Sequence, residues 1–408
     1  MAVITTCDDY ATSIQIPQFL KPQKLSGGSP EMNGIRPVMY TGGFCVVFPY
    51  KSCQGKYAVR CWHAQVEGAQ ERMRRISEFL ETANLPYFVD FQYYDQGINT
   101  SQGVLPIVVM DWVDAKPLKH YIQGVLHNKS ALNNLADNFM QMIKDLHEKG
   151  ISHGDLQHGN IMVKSDGKLV LVDYDSMYVP SLHGYSSATS GLWGYQHPAR
   201  FSHKTVTPKA DYFSELIIYT SIKALAVFPD LWQKLQMEDT DTLIFSKEDI
   251  ESGGKSQIFT DISKDAYLKQ LVTEVRSELS KTSIETLLPL EQLEPNEKEK
   301  LSRAKEEEEI QNLLSQIRDV LDSLNDDTSV AEERNWLHQV SIQTVSLSEV
   351  LKHYDVALFL KKKSEDRAKR AQLIDELRAE YMDNGYVKEP TKVDTSSAIN
   401  DMRSEWGN

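Results

Sequence analysis

The chain has 408 residues, 41% hydrophobic and 25% charged, which is enough for two domains or for one large domain with an appendage. The net charge of −14 argues against sequence-independent nucleic-acid binding, because such binding needs a cationic surface. The N-terminus lacks the cationic and apolar regions of a signal peptide, and no uninterrupted apolar run approaches the ~20 residues of a membrane span. We therefore expect a protein that binds neither nucleic acid nor a membrane.

The first third of the chain has the pattern of a strand-rich region with one helix. Residues 1–37 form a lead-in segment, in which residues 22–36 have the Gly, Ser and Pro content of a loop. From Met39 to Trp62, two apolar, β-branched runs separated by SCQG predict a hairpin. Apolar spacing predicts a helix over 63–82, and YFVDFQYYDQGI and LPIVVMDWV predict two further strands.

Cysteine usage indicates the compartment. Four cysteines lie within the first 61 residues, at Cys7, Cys45, Cys53 and Cys61. They form no CxxC pair and no Cys/His spacing typical of a metal site. Free thiols are usual in a reducing compartment, so we expect a cytoplasmic location.

The middle third is mostly helical. Helices are predicted around 117–125 and 131–149, and Gly150 is typical of the position just after a helix. The apolar stretch Leu216–Phe228 predicts a buried core helix, and the polar residues 237–262 predict a loop.

From Glu294 the chain is charged and helical, with a long helix predicted across 347–383 and a polar tail after it. Seven apolar residues fit an a/d heptad pattern: Ile310, Leu313, Leu314, Ile317, Val320, Leu321 and Leu324. One interpretation is an amphipathic helix docked on the large lobe or on its neighbouring helix. The other is a coiled coil that dimerises or binds a partner.

The central stretch HGDLQHGNIMVKSDGKLVLVDYD combines oxygen-bearing side chains with two short strands. Asp155 and Asn160 lie on a loop between a helix and a hairpin, and Asp173 lies just past the second strand. This topology can bring the three side chains to one point. Phosphoryl transfer needs such an arrangement, in which a carboxylate orients the attacking hydroxyl while a carboxylate and an amide oxygen hold Mg²⁺.

These residues also carry a family resemblance. HGDLQHGN resembles the catalytic loop HRDxxxxN of protein kinases, and DYD resembles their DFG motif. TGGFCVV resembles the glycine-rich loop, YAVRCW the V-A-I-K strand, and VMDWV the hinge that holds adenine. Downstream, GLWGYQHPA resembles the end of the activation segment, and Asp211 the buried aspartate that opens the central helix. YAVRCW, HGDLQHGN and DYD also resemble bacterial eukaryotic-like Ser/Thr kinases, some of which accompany tellurite-resistance-type gene clusters.

The resemblance implies a two-lobed α+β fold, with a β-rich N-lobe at 38–113, a helical C-lobe at 114–293 and a helical extension at 294–408. It also implies ATP and Mg²⁺ as cofactors and a protein as substrate. Asp155 would orient the acceptor hydroxyl, and Asn160 and Asp173 would hold Mg²⁺. Contacts with ATP are expected from Gly42, Gly43, Phe44, Val47, Ala58, Arg60, Met110, Asp111, Trp112 and Val113.

Arg60 stands at the position of the family's phosphate-binding lysine, and an arginine can also bind a phosphate bidentately. Its carboxylate partner is expected to be Glu78 by distance along the chain, with Glu71 as the alternative. Either glutamate could instead be an ordinary solvated side chain on its helix.

Three further positions depart from the family pattern. Gly154 replaces the arginine of HRD, which suggests regulation without an activation-loop phosphate, and Gln157 replaces a lysine near the transferred phosphate. Asp175 replaces the glycine of DFG, where it could bind the metal or cap the next turn, and we favour the cap. His153 and His158 could ligate a metal, but the resemblance favours packing and hydrogen bonding for the first of them.

The sequence is therefore interpreted first as a Ser/Thr protein kinase. A second hypothesis is a nucleotide-binding pseudokinase scaffold that acts through its helical tail, motivated by Arg60, Gln157 and a glycine-poor loop. A third is a small-molecule kinase, suggested by HGD but opposed by the segment Gly191–Ala199, which resembles a peptide-docking segment.

Overall fold

The computed structural model describes residues 4–42, 44–64, 68–187, 190–325, 328–342 and 344–383. The chain divides into two compact units, Met1–Glu299 and Lys300–Asn408. The first unit holds a β-rich small lobe and a helical large lobe, and the second is helical where it is described. This is the two-lobed α+β fold with a helical C-terminal region that the sequence predicts.

An antiparallel sheet forms the small lobe. The strands of this lobe are β1 (Ser29–Pro30), β2 (Met32–Asn33), β3 (Arg36–Pro37), β4 (Tyr40–Thr41), β5 (Cys45–Ser52), β6 (Gly55–Trp62), β7 (Phe91–Thr100) and β8 (Gly103–Asp111). The sheet order is β1–β5–β6–β8–β7, β4 also pairs with β5, and β2 and β3 pair with each other. The predicted hairpin and the two later strands are confirmed.

Strand β6 forms part of the wall of a cavity. Side chains alternate between the two faces of a strand. Tyr57, Val59 and Cys61 enter an apolar core on one face of the sheet. Ala58 and Arg60 therefore point to the opposite face, where they line the cavity.

The N-terminal segment packs on the outer face of the sheet. It contains α1 (Cys7–Ser13) and two 3₁₀ turns at Pro17–Phe19 and Gln23–Leu25. Tyr10 enters the same core as β6, and its hydroxyl donates to the carbonyl of Trp62 at 2.9 Å. The loop predicted for 22–36 is partly wrong, because β1, β2 and the first residue of β3 lie within it and β1 pairs with β5.

Helix α2 (Ala69–Ala83) packs against β7. It begins later than predicted, and residues 65–67 lie outside the described part of the chain. Its buried side carries Arg72, Met73 and Ile76.

The large lobe consists of helices around one apolar core, with a three-stranded sheet. Its elements are β9 (Lys116–Pro117), α3 (Leu118–Val125), α4 (Lys129–Glu148), β10 (Ile161–Val163), β11 (Leu169–Leu171), α5 (Tyr212–Val227), α6 (Leu231–Lys234), α7 (Lys247–Glu251), α8 (Gln257–Ile262), α9 (Ala266–Leu279) and α10 (Leu290–Leu293). Helix α5 is buried along nearly its whole length between α4 and α9, as its uniform hydrophobicity predicts. The loop predicted for 237–262 is partly wrong, because α7 and α8 lie there, and a Ser246–Asp249 capping box begins α7.

The C-terminal region contains α11 (Pro295–Asp322), α12 (Thr328–Gln339) and α13 (Leu347–Asp383). Four of the heptad residues are buried in a cluster with apolar residues of α12 and α13: Ile310, Leu314, Ile317 and Leu321. The interpretation that this helix docks on a neighbouring helix is therefore the one that the structure supports. The predicted polar tail lies outside the described residues.

None of the helices in the described part of the chain is both long and apolar enough to cross a membrane.

Candidate active site

A cavity of about 500 Å³ lies between the sheet and the β10–β11 hairpin. This size is within the roughly 300–1,000 Å³ of small-molecule sites. The wall includes eight of the residues predicted to contact ATP: Gly42, Val47, Ala58, Arg60, Met110, Asp111, Trp112 and Val113. Phe44 is not part of this wall, and Gly43 lies outside the described residues. Val89, Met162 and Val172 add apolar side chains to the wall.

The segment after β8 limits which backbone groups can meet a ligand. The Asp111 N–H donates to the carbonyl of Asp90 at 3.0 Å, and the Trp112 N–H to that of Lys56 at 2.9 Å. The Lys56 ammonium also lies 4.1 Å from the centre of the Trp112 ring. Of the three backbone N–H groups at 111–113, only that of Val113 has no such hydrogen bond to another described residue.

The loop before β10 is held by buried hydrogen bonds. Asp211, at the start of α5 and 2% exposed, accepts from the backbone N–H groups of His153 and Gly154. The His153 ring is buried, and its Nε2 lies 2.9 Å from the carbonyl oxygen of Val172. The predicted structural roles of Asp211 and His153 are confirmed, and together they fix the backbone that carries Asp155.

Gly154 has a conformation that excludes the family's arginine. Its φ of +78° is in the left-handed region, and a Cβ placed there would lie 2.1 Å from the carbonyl oxygen of Ser176. An L-residue with a side chain meets both a strained backbone and a clash at this position. The close approach of these two backbone segments is therefore incompatible with an arginine at this position.

Asp155 and Asn160 lie against each other. Asn160 Nδ2 donates to the carbonyl of Asp155 at 2.8 Å and lies 3.4 Å from Asp155 Oδ2, while Asp155 Oδ1 accepts from the Leu192 N–H at 3.1 Å. Burial raises the pKa of Asp155; His153 and the Leu192 N–H oppose this rise, and Asp173 adds to it. The carboxylates of Asp155 and Asp173 are thus close enough to interact electrostatically.

Asp173 follows β11 in the left-handed region, with a φ of 67°. It lines the cavity, and half of its side-chain surface is exposed. The Asn160 amide nitrogen is committed to Asp155, which leaves Oδ1 as the atom that a cation could use. Carboxylate and amide oxygens are the ligands that Mg²⁺ prefers, so Asn160 and Asp173 fit the predicted ion.

Arg60 does not meet its predicted partner. The residue is 5% exposed, and Nη1 donates to Asp173 Oδ1 at 3.1 Å while Nη2 pairs with the Asp175 carboxylate. Glu78 instead pairs with Arg74 at 3.0 Å on the exposed side of α2. The predicted ion pair between Arg60 and Glu78 is therefore wrong in this structure.

Glu71, the alternative partner, pairs with Arg74 and Arg75 on the same helix. The side chain that α2 turns inward is Arg72, which donates to the carbonyls of Asp175 and Ser186. Helix α2 therefore turns a cation, and neither of the two predicted carboxylates, towards the turn that holds Asp175.

The turn Tyr174–Ser176 holds Asp175, whose carboxylate accepts from Arg60. Its other oxygen, Oδ1, is buried and has no hydrogen-bond partner among the described residues. The interpretation of Asp175 as a turn cap is therefore wrong. Burial raises the pKa of Asp175, and the charge of Arg60 opposes that rise.

A short turn covers one side of the cavity between β4 and β5. The Gly42 N–H donates to the carbonyl of Cys45 at 2.8 Å, and Cys45 Sγ accepts from Arg60 Nε at 3.1 Å. Tyr40 and Cys45 stand at two positions that are glycines in the family, and both line the cavity. The two strands that flank the turn therefore place side chains at the cavity where the family has glycines.

The segment after residue 190 meets the catalytic loop. Besides the Leu192 contact, the Tyr195 hydroxyl lies 2.7 Å from His158 Nδ1 and accepts from the Leu243 N–H at 2.9 Å. Gln157 folds onto its own loop, where Oε1 accepts from the Gly159 N–H at 2.6 Å. Gln157, which stands where the family has a lysine, therefore stabilises its own loop.

A family model of the protein kinase domain matches residues 40–317, which is more than half of the chain. The chain belongs to the protein kinase family. The predicted resemblance is thereby confirmed, and the kinase-like order of cavity, catalytic loop and DYD turn has its explanation in common descent.

Two curated relatives illustrate the likeness to bacterial Ser/Thr kinases. Serine/threonine-protein kinase PknB of Mycobacterium tuberculosis is 28% identical over 150 residues, which cover 35% of this kinase-family chain and 24% of PknB. Serine/threonine-protein kinase PksC of Streptomyces coelicolor is 26% identical over 162 residues, which cover 37% of the chain and 28% of PksC. The chain thus spans about a quarter of the length of these relatives.

Sequence reasoning missed Arg72 as an inward-facing residue. Arg72, Met73 and Ile76 share one side of α2, whereas Glu71 and Glu78 bracket Arg74 at the spacing of exposed helix ion pairs. The apolar pattern of the helix was the signal that could have identified its buried side.

Proposed function

We propose that this chain is an ATP- and Mg²⁺-dependent Ser/Thr protein kinase that transfers the γ-phosphate of ATP to a protein hydroxyl. The observation that carries the proposal is the placement of Asp155, Asn160 and Asp173. Two of them are in contact, and the third lines a cavity of about 500 Å³. PknB and PksC are both named serine/threonine-protein kinases, which supports a serine or threonine hydroxyl as the acceptor.

In this proposal Asp155 accepts a hydrogen bond from the acceptor hydroxyl and orients its oxygen towards the phosphate. Its hydrogen bond from the Leu192 N–H holds the carboxylate in a fixed direction. Asn160 and Asp173 hold Mg²⁺, which supplies positive charge against the phosphate oxygens when it is bound.

The cavity wall suits a nucleotide. Ala58, Met162 and Val172 present apolar surface to the flat faces of a base, and the Val113 N–H is available at its edge. Arg60 also lines the wall, where its guanidinium places a positive charge that a phosphate group can use.

A protein acceptor is supported by the segment that touches the catalytic carboxylate. The Leu192 N–H bonds Asp155, and Trp193 stacks on Phe201 with ring centres 3.6 Å apart. An ordered segment beside the acceptor-orienting carboxylate can dock an extended peptide. This feature favours a peptide over a small molecule as the acceptor.

The test is transfer of label from [γ-³²P]ATP into protein with Mg²⁺, for the wild type and for Asp155→Asn. Loss of general acid–base positioning costs roughly 10²- to 10⁴-fold, so label from Asp155→Asn should fall by at least ~100-fold. Asp166→Asn is the matched control, because Asp166 lies in the exposed β10–β11 turn and should retain wild-type transfer. Equal label from wild type and Asp155→Asn would contradict the proposal.

One observation favours the pseudokinase as a second candidate. Arg60 pairs with Asp173, so a predicted metal ligand is engaged by a protein cation. The same assay separates the two functions, since a pseudokinase binds nucleotide without any Asp155-dependent transfer.

We also propose a cytoplasmic location and an interaction role for the helical region. All four cysteines are free thiols, which supports a reducing compartment. Exposed apolar side chains on α13, among them Phe359, Leu373 and Leu377, support binding to a partner or to a second copy. Mass measurement of the full chain in solution tests the second-copy form.

A further inference from the structure

Arg60 is held by two carboxylates from one turn. Nη1 donates to Asp173 and Nη2 to Asp175, while Nε donates to Cys45 Sγ. The guanidinium thus uses all three of its nitrogens on protein groups, and its side chain is only 6% exposed. A buried cation in this position depends on its carboxylates, because removing one leaves charge without compensation.

The two carboxylates differ in what else they can do. Asp173 is half exposed and lines the cavity, whereas the Asp175 side chain is 23% exposed and does not line it. If Asp173 holds Mg²⁺, its negative charge is shared with the ion and its hold on Arg60 weakens. Asp175 then remains as the carboxylate that keeps Arg60 in place.

Helix α2 supplies no substitute. Glu71 and Glu78 are paired with arginines of their own helix, and the residue that α2 turns inward is Arg72. Arg72 donates to the carbonyl of Asp175 and so ties the helix to the same turn. Both arginines therefore meet the DYD turn: Arg60 bonds the carboxylates of Asp173 and Asp175, and Arg72 bonds the carbonyl of Asp175.

We propose that Asp175 is the positioning residue for Arg60, in the place that a helix glutamate was expected to fill. Asp175 keeps the guanidinium at the cavity wall, so that Nη1 is presented to phosphate when Asp173 binds the metal. Arg72 secures the turn by its bonds to the backbone. The inference rests on the proposed function only in that the cavity binds MgATP.

The test compares Asp175→Asn with Glu78→Gln in the full chain. Equilibrium binding of a fluorescent ATP analogue with Mg²⁺ gives the affinity without any transfer. Asp175→Asn should weaken binding by about 10-fold or more, since Arg60 loses its anchor, and Glu78→Gln should stay within about twofold of the wild type. An unchanged affinity in Asp175→Asn, or an equal loss in Glu78→Gln, would overturn the assignment.

A comparison in an Arg60→Gln background separates a specific loss of binding from misfolding. Arg60→Gln with Asp175→Asn replaces the pair by two neutral polar side chains, which leaves no buried unpaired charge at the pair. In the Arg60→Gln background, Asp175→Asn should have no further effect on affinity, because Asp175 acts through Arg60. A further loss in that background would show that Asp175 acts otherwise.

The rescue variant is Asp175→Glu, which keeps the charge and should recover affinity to within about threefold of the wild type. Failure of this inference is distinct from failure of the proposed function. If the wild type binds MgATP but transfers no phosphate, the proposed kinase activity is contradicted. The binding experiment then still tests the role of Asp175. Wild-type transfer with no loss of affinity in Asp175→Asn contradicts the Asp175 assignment alone.

Discussion

Gly154→Ala tests whether the catalytic loop depends on the absence of a side chain at this position. The φ of Gly154 is +78°, and a Cβ would meet the Ser176 carbonyl oxygen at 2.1 Å and its carbon at 2.8 Å. Both atoms are backbone, so neither can rotate away. The turn that holds Asp173 and Asp175 would have to move instead.

The expected loss of unfolding free energy in Gly154→Ala has two parts. An L-residue at positive φ costs roughly 1–2 kcal/mol. Forcing a methyl group into a packed backbone contact adds about 1–3 kcal/mol. Gly154→Ala should therefore lower the free energy of unfolding by about 2–5 kcal/mol, and the displaced turn should lower phosphate transfer as well.

Gly184→Ala is the matched control. Gly184 has a φ of +83°, but no heavy atom lies within 4 Å of its added Cβ. It should show only the backbone cost of roughly 1–2 kcal/mol. Urea unfolding of the wild type and both variants measures the difference, and the reasoning is refuted if Gly154→Ala is no less stable than Gly184→Ala.

Two further predictions concern the pH dependence of stability and the binding of nucleotide in the cavity. The His147 ring lies 3.0 Å from both Glu215 and Glu291, and although burial lowers its pKa, the two carboxylates raise it from 6.5 to about 10. Because the folded pKa is the higher one, this stabilisation is full below pH 6.5 and is lost as the pH rises towards 10. Relative to His147→Gln, the wild type should therefore lose several kcal/mol of unfolding free energy over that window, and parallel pH profiles would contradict the assignment. Ala58 lines the cavity, and Ala58→Phe would place a large ring in it. This variant should weaken binding of a fluorescent nucleotide by more than about 10-fold with little change in thermal unfolding. Unchanged binding would show that the nucleotide binds elsewhere.

Local patterns made much of the fold predictable. Helix α13 has the predicted bounds 347–383, and β6 falls inside the predicted hairpin. Both have a repeating pattern of apolar residues that depends on the element alone. Short elements such as α7 and α8 escaped prediction, because a single turn of helix in a polar stretch is stabilised mainly by its packing.

The site was predictable where motif and topology coincide. Asp155, Asn160 and Asp173 lie on one loop and one hairpin, so their spacing in the chain already limits their separation in space. The partner of Arg60 depends instead on how α2 is rotated about its axis. That rotation is set by the burial of Met73 and Ile76 against the sheet, which distance along the chain does not report.

Gly154 and Asp175 illustrate why family substitutions mislead when they are considered one at a time. Gly154 permits the close contact with Ser176, and Asp175 supplies the carboxylate that Arg60 uses. Arg72 completes the set by facing inward from α2. These residues all meet at the turn Tyr174–Ser176, which the three-dimensional contacts reveal and the separate motifs do not.

The central claim is that Asp155, Asn160 and Asp173 form a working phosphotransfer centre. The most direct test incubates the full chain with Mg²⁺ and [γ-³²P]ATP, then identifies the labelled amino acid after acid hydrolysis, for the wild type and for Asp173→Asn. The account predicts phosphoserine or phosphothreonine from the wild type and at least about 100-fold less from Asp173→Asn, because the metal loses a carboxylate ligand. Equal phosphoamino-acid label from both proteins, or none from the wild type while it binds nucleotide, would contradict it.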